Sequence, residues 1–118
     1  MNLSEIQIGF LGTGKMATAL AAGFTRRLVK PTSIRGADPL ESSRTAFAES
    51  IGDGPFVSDD AVSALKDTDV LFLSVKPQTM KSALKSIEAV FQKDKLVVSI
   101  AAGLTISTLE GWLPNGTR

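Results

Sequence analysis

The fold is indicated by one stretch near the start of the chain, Ile8-Gly9-Phe10-Leu11-Gly12-Thr13-Gly14-Lys15-Met16-Ala17. The apolar run over residues 6–11 is short and nearly continuous, which is typical of a strand buried on both faces. The glycines interrupt this run, and apolar residues then recur at helical spacing over residues 16–28. The stretch therefore predicts a strand, a tight turn and a helix in direct succession.

The same alternation continues along the rest of the chain. Short apolar runs predict further strands at residues 33–37, 56–57, 70–75 and 96–100. Helical spacing predicts helices over residues 44–51 and 80–91, around 106–112, and around residues 62–65, where Asp59 or Asp60 is the expected N-cap. Strands that alternate with helices indicate an α/β fold with a mostly parallel sheet.

Composition excludes several kinds of chemistry. The chain has 118 residues, which suits a single domain over residues 1–118. It has no His and no Cys, which excludes an imidazole base, a thiolate nucleophile and the usual zinc ligands. We therefore predict no catalytic residue and no metal ligand. With 13 Lys and Arg against 12 Asp and Glu, we expect no nucleic-acid partner.

The sequence also favours a particular cellular setting. No apolar run approaches the roughly 18 residues that a membrane span requires, so we expect no membrane contact. The first residues lack the basic and apolar segments of a secretory signal. We therefore expect a cytoplasmic protein.

The string Gly12-Thr13-Gly14-Lys15-Met16-Ala17 fits the pattern G-x-G-x-x-G/A, directly after a predicted strand and at the start of a helix. Gly12 allows a tight turn, Gly14 leaves the backbone open to a pyrophosphate, and Ala17 lets the helix lie close to the sheet. The N–H groups at the helix start then favour phosphate. This setting predicts an NAD or NADP site; the alternative is a plain strand-to-helix turn.

Lys15 occupies the first turn of the predicted helix, where a cation opposes the helix dipole. That placement costs a few tenths of a kcal/mol, and a nearby phosphate would offset the cost. The alternative is a solvated lysine.

Asp38 lies roughly 20 residues beyond the glycine motif, at the end of the second predicted strand. A carboxylate there can accept a hydrogen bond from a ribose 2′-OH, which favours NAD. Alternatively, Asp38 caps the next helix, and Ser42, Ser43, Arg44 or Arg35 holds the 2′-phosphate of NADP. The residues alone leave the choice between NAD and NADP open.

Two later strings follow the two best predicted strands, Ser74-Val75-Lys76-Pro77 and Ile100-Ala101-Ala102-Gly103. Ligands of open parallel sheets bind outside the carboxyl ends of the strands, so both strings should meet at the cofactor. Pro77 suits the first turn of a helix. The small residues of the second string would let a flat ring lie against the backbone; the alternatives are a simple helix start and a tight connection.

Three strings together resemble pyrroline-5-carboxylate reductase: residues 8–17, residues 69–78 (Asp-Val-Leu-Phe-Leu-Ser-Val-Lys-Pro-Gln) and residues 97–106 (Val-Val-Ser-Ile-Ala-Ala-Gly-Leu-Thr-Ile). Their order and spacing agree with that family along essentially the whole chain. The resemblance implies a Rossmann-type doubly wound fold with helices on both faces of a mostly parallel sheet. It also implies reduction of 1-pyrroline-5-carboxylate, a small imino acid, to proline with NADPH or NADH.

The resemblance also implies a set of cofactor contacts. These are Leu11, Gly12, Thr13, Gly14, Lys15 and Met16 at the pyrophosphate, Ser74, Val75, Lys76 and Pro77 after the fourth strand, and Ile100, Ala101 and Ala102 beside the nicotinamide. The chain departs from the family at two positions. Asp38 stands where members that favour NADPH often carry a Ser, which puts that preference in doubt, and Lys15 stands where many have Asn.

Family members continue well past residue 118 into a helical domain that forms the dimer and much of the imino-acid pocket. We therefore expect a fragment that binds cofactor, turns over slowly or not at all, and forms homo-oligomers only with that further domain. Two competing hypotheses stay open. One is the first domain of another dehydrogenase, of the β-hydroxyacid, prephenate or F420-dependent NADP reductase type; the other is a non-catalytic module that senses a dinucleotide.

Overall fold

The computed structural model describes residues 5–88, 90, 95–100, 111 and 113. In this part of the chain, strands and helices alternate as predicted. The strands are β1 (Ile8–Leu11), β2 (Ile34–Ala37), β3 (Phe56–Ser58), β4 (Val70–Leu73) and β5 (Leu96–Ser99). The helices are α1 (Lys15–Arg27), α2 (Glu41–Ile51), α3 (Ala61–Leu65) and α4 (Pro77–Ser86), and a 3-10 turn over Pro31–Ser33 precedes β2.

The five strands form one parallel sheet in the order β3-β2-β1-β4-β5. Ile8 of β1 pairs with Ile34 of β2 on one side and with Val70 of β4 on the other. The order of connection reverses at β1, because the chain first builds outward through β2 and β3 and then returns to β4. This is the strand arrangement of a Rossmann fold, with its switch point between β1 and β4.

Each face of the sheet carries its own apolar core. On one face, Ala17 and Ala21 of α1 and Phe47 of α2 pack against β1 and β2. The Phe10 ring is central there, with its centroid 5.1 Å from that of Phe72 and 5.7 Å from that of Phe47. The other face is covered by α3 and α4. The prediction of a parallel α/β fold with helices on both faces is confirmed.

Several predicted element ends differ from the structure. Helix α2 begins at Glu41 rather than at residue 44, because its first turn is polar and only the later residues carry the apolar periodicity. Strand β4 ends at Leu73 instead of residue 75. Helix α4 begins at Pro77 as predicted and ends at Ser86, short of residue 91.

Two further predictions concern the short helix α3 and the last part of the chain. Asp60, one of the two proposed caps, is the N-cap of α3 and accepts a hydrogen bond from the backbone N–H of Ser63. The helix predicted around residues 106–112 lies almost wholly outside the described residues. No helix in the described part of the chain combines the length and apolarity that crossing a membrane requires.

Candidate functional site

The first bend of the chain requires a glycine for conformational and steric reasons. Gly12 has a φ of +97°, a region that L side chains rarely adopt. A Cβ at this position would lie 3.0 Å from the carbonyl carbon and oxygen of Ser74. The N–H of Gly12 donates to the carbonyl of Ala37 at 2.7 Å, which holds the bend against β2. The tight-turn role predicted for Gly12 is confirmed.

Gly14 serves a different purpose at the start of α1. It is the N-cap residue, has an ordinary φ of −75°, and no side chain caps the helix there. Among the described residues other than its chain neighbours, a Cβ built on Gly14 would meet no atom within 4 Å. The fold itself therefore does not require a glycine here. The absence of a side chain leaves the helix N-terminus open, and this partly positive end attracts anions.

The residues that follow Gly14 divide between surface and core. Lys15 and Met16 form the first turn of α1, and Met16 is 62% exposed. The first turn contains no acidic residue. Ala17 is 1% exposed and packs in the core beneath the helix, as its small size predicts. A phosphate at this turn would meet a cation together with uncapped N–H groups.

Asp38 follows β2 and holds the glycine turn. One carboxylate oxygen, Oδ2, accepts the backbone N–H of Thr13 at 2.9 Å, and Oδ1 accepts that of Leu40 at 2.9 Å. Arg44 Nη1 donates to the Asp38 carbonyl at 2.8 Å. The interpretation of Asp38 as the cap of α2 is wrong, because Leu40 is the N-cap residue, no side chain caps the helix, and Asp38 Oδ1 accepts the N–H of Leu40 itself.

The other candidates near the ribose position lie in different places. Ser42 and Ser43 line a cleft of about 500 Å³ between α1 and α2, together with Thr13 and Lys15, and Ser43 also lines the neighbouring cleft that contains Asp38. The guanidinium of Arg35 lies over the ring of Phe56, 5.5 Å from its centroid. Arg35 Nε also lies 3.4 Å from Oε1 of Gln7, the residue just before β1. The structure therefore does not bring Arg35 to the glycine turn.

The carboxyl ends of β4 and β5 reach the same edge of the sheet as the glycine turn. Ser74 Oγ lies 2.7 Å from the Gly12 carbonyl and 3.0 Å from that of Leu11. The N–H of Ile100 donates to the Leu73 carbonyl at 3.1 Å, which carries β5 to this edge. Ala101 and Ala102 lie outside the described residues.

A cleft of about 560 Å³ opens at this edge, between the end of β2 and the end of β4. Its lining includes Leu11, Gly12, Gly14, Asp38, Ser74, Val75 and Lys76, and Pro77 begins the helix beside it. The volume lies within the range of small-molecule and cofactor sites. No group of three or more acidic side chains lies together as a metal site among the described residues.

The sequence motifs did not predict all the residues that line this cleft. Leu40, Thr79 and Ala83 border the cleft, and Leu40 is 58% exposed. The only signal for Leu40 is that a large apolar residue stands between Pro39 and a polar helical turn. Thr79 and Ala83 carry no such signal, because only the packing of α4 beside the cleft places them there.

Comparison with known proteins agrees with this geometry. Residues 7–103 match the family described as NADP oxidoreductase coenzyme F420-dependent. The chain belongs to this family. The family description names NADP, which belongs to the cofactor class predicted from the glycine motif.

Individual relatives narrow the similarity further. The pyrroline-5-carboxylate reductase of Methanosarcina acetivorans is 39% identical over 113 residues, covering 95% of this chain and 41% of the relative. A solved pyrroline-5-carboxylate reductase from Coxiella burnetii has a TM-score of 0.87 at 27% identity, over 99% of this chain and 42% of that one. The predicted resemblance to this enzyme group is confirmed.

A third comparison supports the fold alone. The Plasmodium falciparum pyrroline carboxylate reductase, solved with NADP bound, has a TM-score of 0.78 at 24% identity, over 98% of this chain and 40% of that one. The chain thus spans about two-fifths of the length of the family relatives it matches.

Proposed function

We propose that this chain is the dinucleotide-binding part of a pyrroline-5-carboxylate reductase. The reaction is reduction of the C=N bond of 1-pyrroline-5-carboxylate to L-proline, a step of proline biosynthesis, with NADH or NADPH. The observation that carries the proposal is the uncapped N-terminus of α1, which Gly14 leaves open at the edge where the β2–β4 cleft lies. The similarity to reductases over 95% of the chain supports the substrate.

The residues that would hold the cofactor lie at the switch point of the sheet. The diphosphate would be held by the segment Leu11, Gly12, Thr13, Gly14, Lys15 and Met16, where the main-chain amides and the Lys15 ammonium favour an anion. Asp38 would hold the adenosine half. Candidates for the nicotinamide half are Ser74, Val75, Lys76, Pro77, Ile100, Ala101 and Ala102.

The chemistry asks little of the side chains. The nicotinamide supplies hydride when it is bound, and the protein supplies position. A cyclic imine that is already protonated accepts hydride at carbon without a strong protein acid, which suits a chain that contains no His and no Cys. We assign no catalytic residue to this chain. Its contribution is to hold the cofactor in a reactive geometry, which can lower a barrier by several kcal/mol.

We further propose that NADH is preferred over NADPH. The Asp38 carboxylate is fixed at the end of β2 by two backbone N–H groups, and it keeps acceptor capacity for a ribose hydroxyl. A 2′-phosphate would face this charge, at about 4 kcal/mol per pair of unit charges 4 Å apart before solvent screening. Ser42, Ser43 and Arg44 are the groups that would favour NADPH instead.

Competitive calorimetric titration with NADH and NADPH tests both statements. We expect NADH to bind and NADPH to bind at least about tenfold more weakly, which corresponds to about 1.4 kcal/mol. Tighter binding of NADPH would reject the preference and leave the site intact. The absence of binding by either dinucleotide would reject the site.

Turnover tests the substrate. We expect this chain to bind cofactor but to oxidise it on 1-pyrroline-5-carboxylate far below a typical enzyme rate of about 10 s⁻¹. The measurement is loss of reduced-nicotinamide absorbance, with proline detected as product. A typical rate from this chain alone would contradict the expectation. Turnover of a β-hydroxyacid or of prephenate would instead support the other dehydrogenase types.

A further inference from the structure

Two side chains from neighbouring strands hold the same peptide group of the glycine turn. The carbonyl of Gly12 accepts a hydrogen bond from Ser74 Oγ at 2.7 Å, beyond the end of β4. The N–H of Thr13 donates to Asp38 Oδ2 at 2.9 Å, beyond the end of β2. This C=O and this N–H belong to one planar peptide unit and point in opposite directions. The Gly12–Thr13 peptide is therefore bonded at both ends.

The two side chains are themselves anchored. Asp38 accepts the N–H of Leu40 through its other oxygen, and Arg44 donates to its carbonyl. The N–H of Ser74 donates to the Leu11 carbonyl at 2.9 Å. Thr13 is 1% exposed, so water competes little for its backbone groups. These contacts fix the Gly12–Thr13 peptide relative to the ends of β2 and β4.

This peptide follows a glycine whose backbone conformation other residues rarely adopt. Gly12 has no Cβ and adopts positive φ, a region open to glycine alone without strain. Gly14 follows one residue later and begins the uncapped end of α1. A rotation of the Gly12–Thr13 peptide would change the direction of the N–H groups that follow. Positioning of this peptide therefore matters for binding a diphosphate.

We propose that Asp38 and Ser74 are positioning residues that together hold the Gly12–Thr13 peptide in the orientation required for dinucleotide binding. This inference rests on the proposed function. It also links the choice between NADH and NADPH to the geometry of the glycine turn, because the Asp38 carboxylate that would repel a 2′-phosphate also supports that turn. Replacing Asp38 by a shorter residue would then weaken NADH and NADPH together instead of exchanging one for the other.

Four variants test the proposal by calorimetric titration. Asp38→Ala and Ser74→Ala each remove one of the two bonds, and each should weaken NADH binding about tenfold. In the double variant the losses should not add, because both bonds hold one peptide. Asp38→Asn keeps an oxygen that can accept the Thr13 N–H. It should recover most of the NADH affinity and narrow the difference between NADH and NADPH.

A matched control removes a hydroxyl at the opposite end of the sheet. Thr68 is fully buried, and its Oγ1 donates to the Leu65 carbonyl at 2.7 Å. Thr68→Val should lower the melting temperature and leave NADH affinity within about twofold of the parent. An equal loss of affinity in Thr68→Val would overturn the proposal, because general destabilisation would then explain the other variants.

Amide hydrogen exchange tests the contact without any ligand. Ser74 does not touch the Thr13 amide, yet Ser74→Ala should speed exchange of that amide about tenfold by releasing the other end of the peptide. An unchanged exchange rate, or an unchanged NADH affinity, would overturn the proposal. If the parent bound no dinucleotide, the proposed function would fail, and the exchange rate would still decide whether the two residues hold the peptide.

Discussion

Hydrogen bonds from side chains fix both ends of the sheet, but they close the amino end and leave the carboxyl end open. At the amino end, where the strands begin, polar groups bond to one another and the structure is closed. Lys95 is 4% exposed, and its ammonium donates to the Leu65 carbonyl at 3.1 Å and to Thr68 Oγ1 at 3.3 Å. At the carboxyl end, Asp38 and Ser74 form hydrogen bonds to the Gly12–Thr13 peptide. The next residue, Gly14, has open space where a side chain would lie.

The same closure joins the strands at the amino end. The N–H of Gln7 donates to Asp69 Oδ2 at 2.8 Å, and the N–H of Asp69 donates to the Gln7 carbonyl at 2.8 Å. Gly9 is so closely covered that an added Cβ would lie 2.6 Å from Thr68 Cγ2. These contacts leave no room for a ligand near Gly9. The contacts at the amino end stabilise the fold, whereas the carboxyl end is where we propose that the dinucleotide binds.

The largest effect should come from branching the open glycine. Gly14→Val should weaken dinucleotide binding more than about 100-fold, because its side chain would occupy the space next to the uncapped helix end. Stability should fall by no more than about 1 kcal/mol, since an added Cβ meets no atom of the more distant described residues within 4 Å. Calorimetric titration and thermal unfolding give the two quantities; parent-like affinity would remove the assignment of binding to this end.

Gly23 provides the matched control within the same helix. It is exposed and lies in the interior of α1, and an added Cβ would meet no atom within 4 Å in the described residues outside its own stretch of helix. Gly23→Ala should stabilise the protein by about 0.5–1 kcal/mol through better helix propensity. Binding should not change. A loss of binding here would mean that α1 responds to substitution anywhere along its length.

The next effect tests the amino end. Lys95→Met should cost about 2–3 kcal/mol of unfolding free energy, because it removes the charged donor from the buried Leu65 carbonyl and Thr68 hydroxyl. Dinucleotide affinity of the folded protein should stay within about twofold of the parent. Denaturant unfolding with parallel titration measures both. A large drop in affinity at constant stability would show that the two ends are coupled.

The smallest effect concerns the cap of the short helix α3, which follows the carboxyl end of β3. Hydrogen bonds from the Ser63 hydroxyl and backbone N–H lower the pKa of Asp60, which favours its charged form in the folded state. Its contribution is therefore present at neutral pH and is lost as the pH falls below about 4. Asp60→Ala should lower the melting temperature slightly at pH 7, and the gap should narrow in acid. A gap independent of pH would exclude the carboxylate as its cause.

Local pattern was sufficient for much of the fold. The apolar run before Gly12 and the helical spacing after Gly14 predicted β1 and α1, and Pro77 marked the start of α4. Helix α2 was placed three residues too late, because the polar turn at Glu41 carries no apolar periodicity. Element ends depend on weak local signals, whereas element types depend on several residues that agree.

The roles within the site were only partly predictable. A carboxylate at Asp38 was expected near the ribose, and the structure shows that it also accepts the Thr13 N–H. The contact of Ser74 with the cofactor stays a prediction, and the structure adds that its hydroxyl lies within hydrogen-bond distance of the Leu11 and Gly12 carbonyls. Residue spacing in the sequence does not predict either contact. Each contact needs two loops to be brought to the same end of the sheet.

The amino-acid sequence by itself determined the order of strands and helices, because this order follows from side-chain periodicity. It also determined the roles of Gly12 at the tight turn and Gly14 at the helix start, because these follow from the lack of a side chain and from the backbone angles that glycine can adopt. Tertiary structure alone decided that β1 lies between β2 and β4. That neighbourhood brings Asp38 to Thr13 across 25 residues and Ser74 to Gly12 across 62. Such contacts arise from the packing of distant segments, which local propensity does not encode.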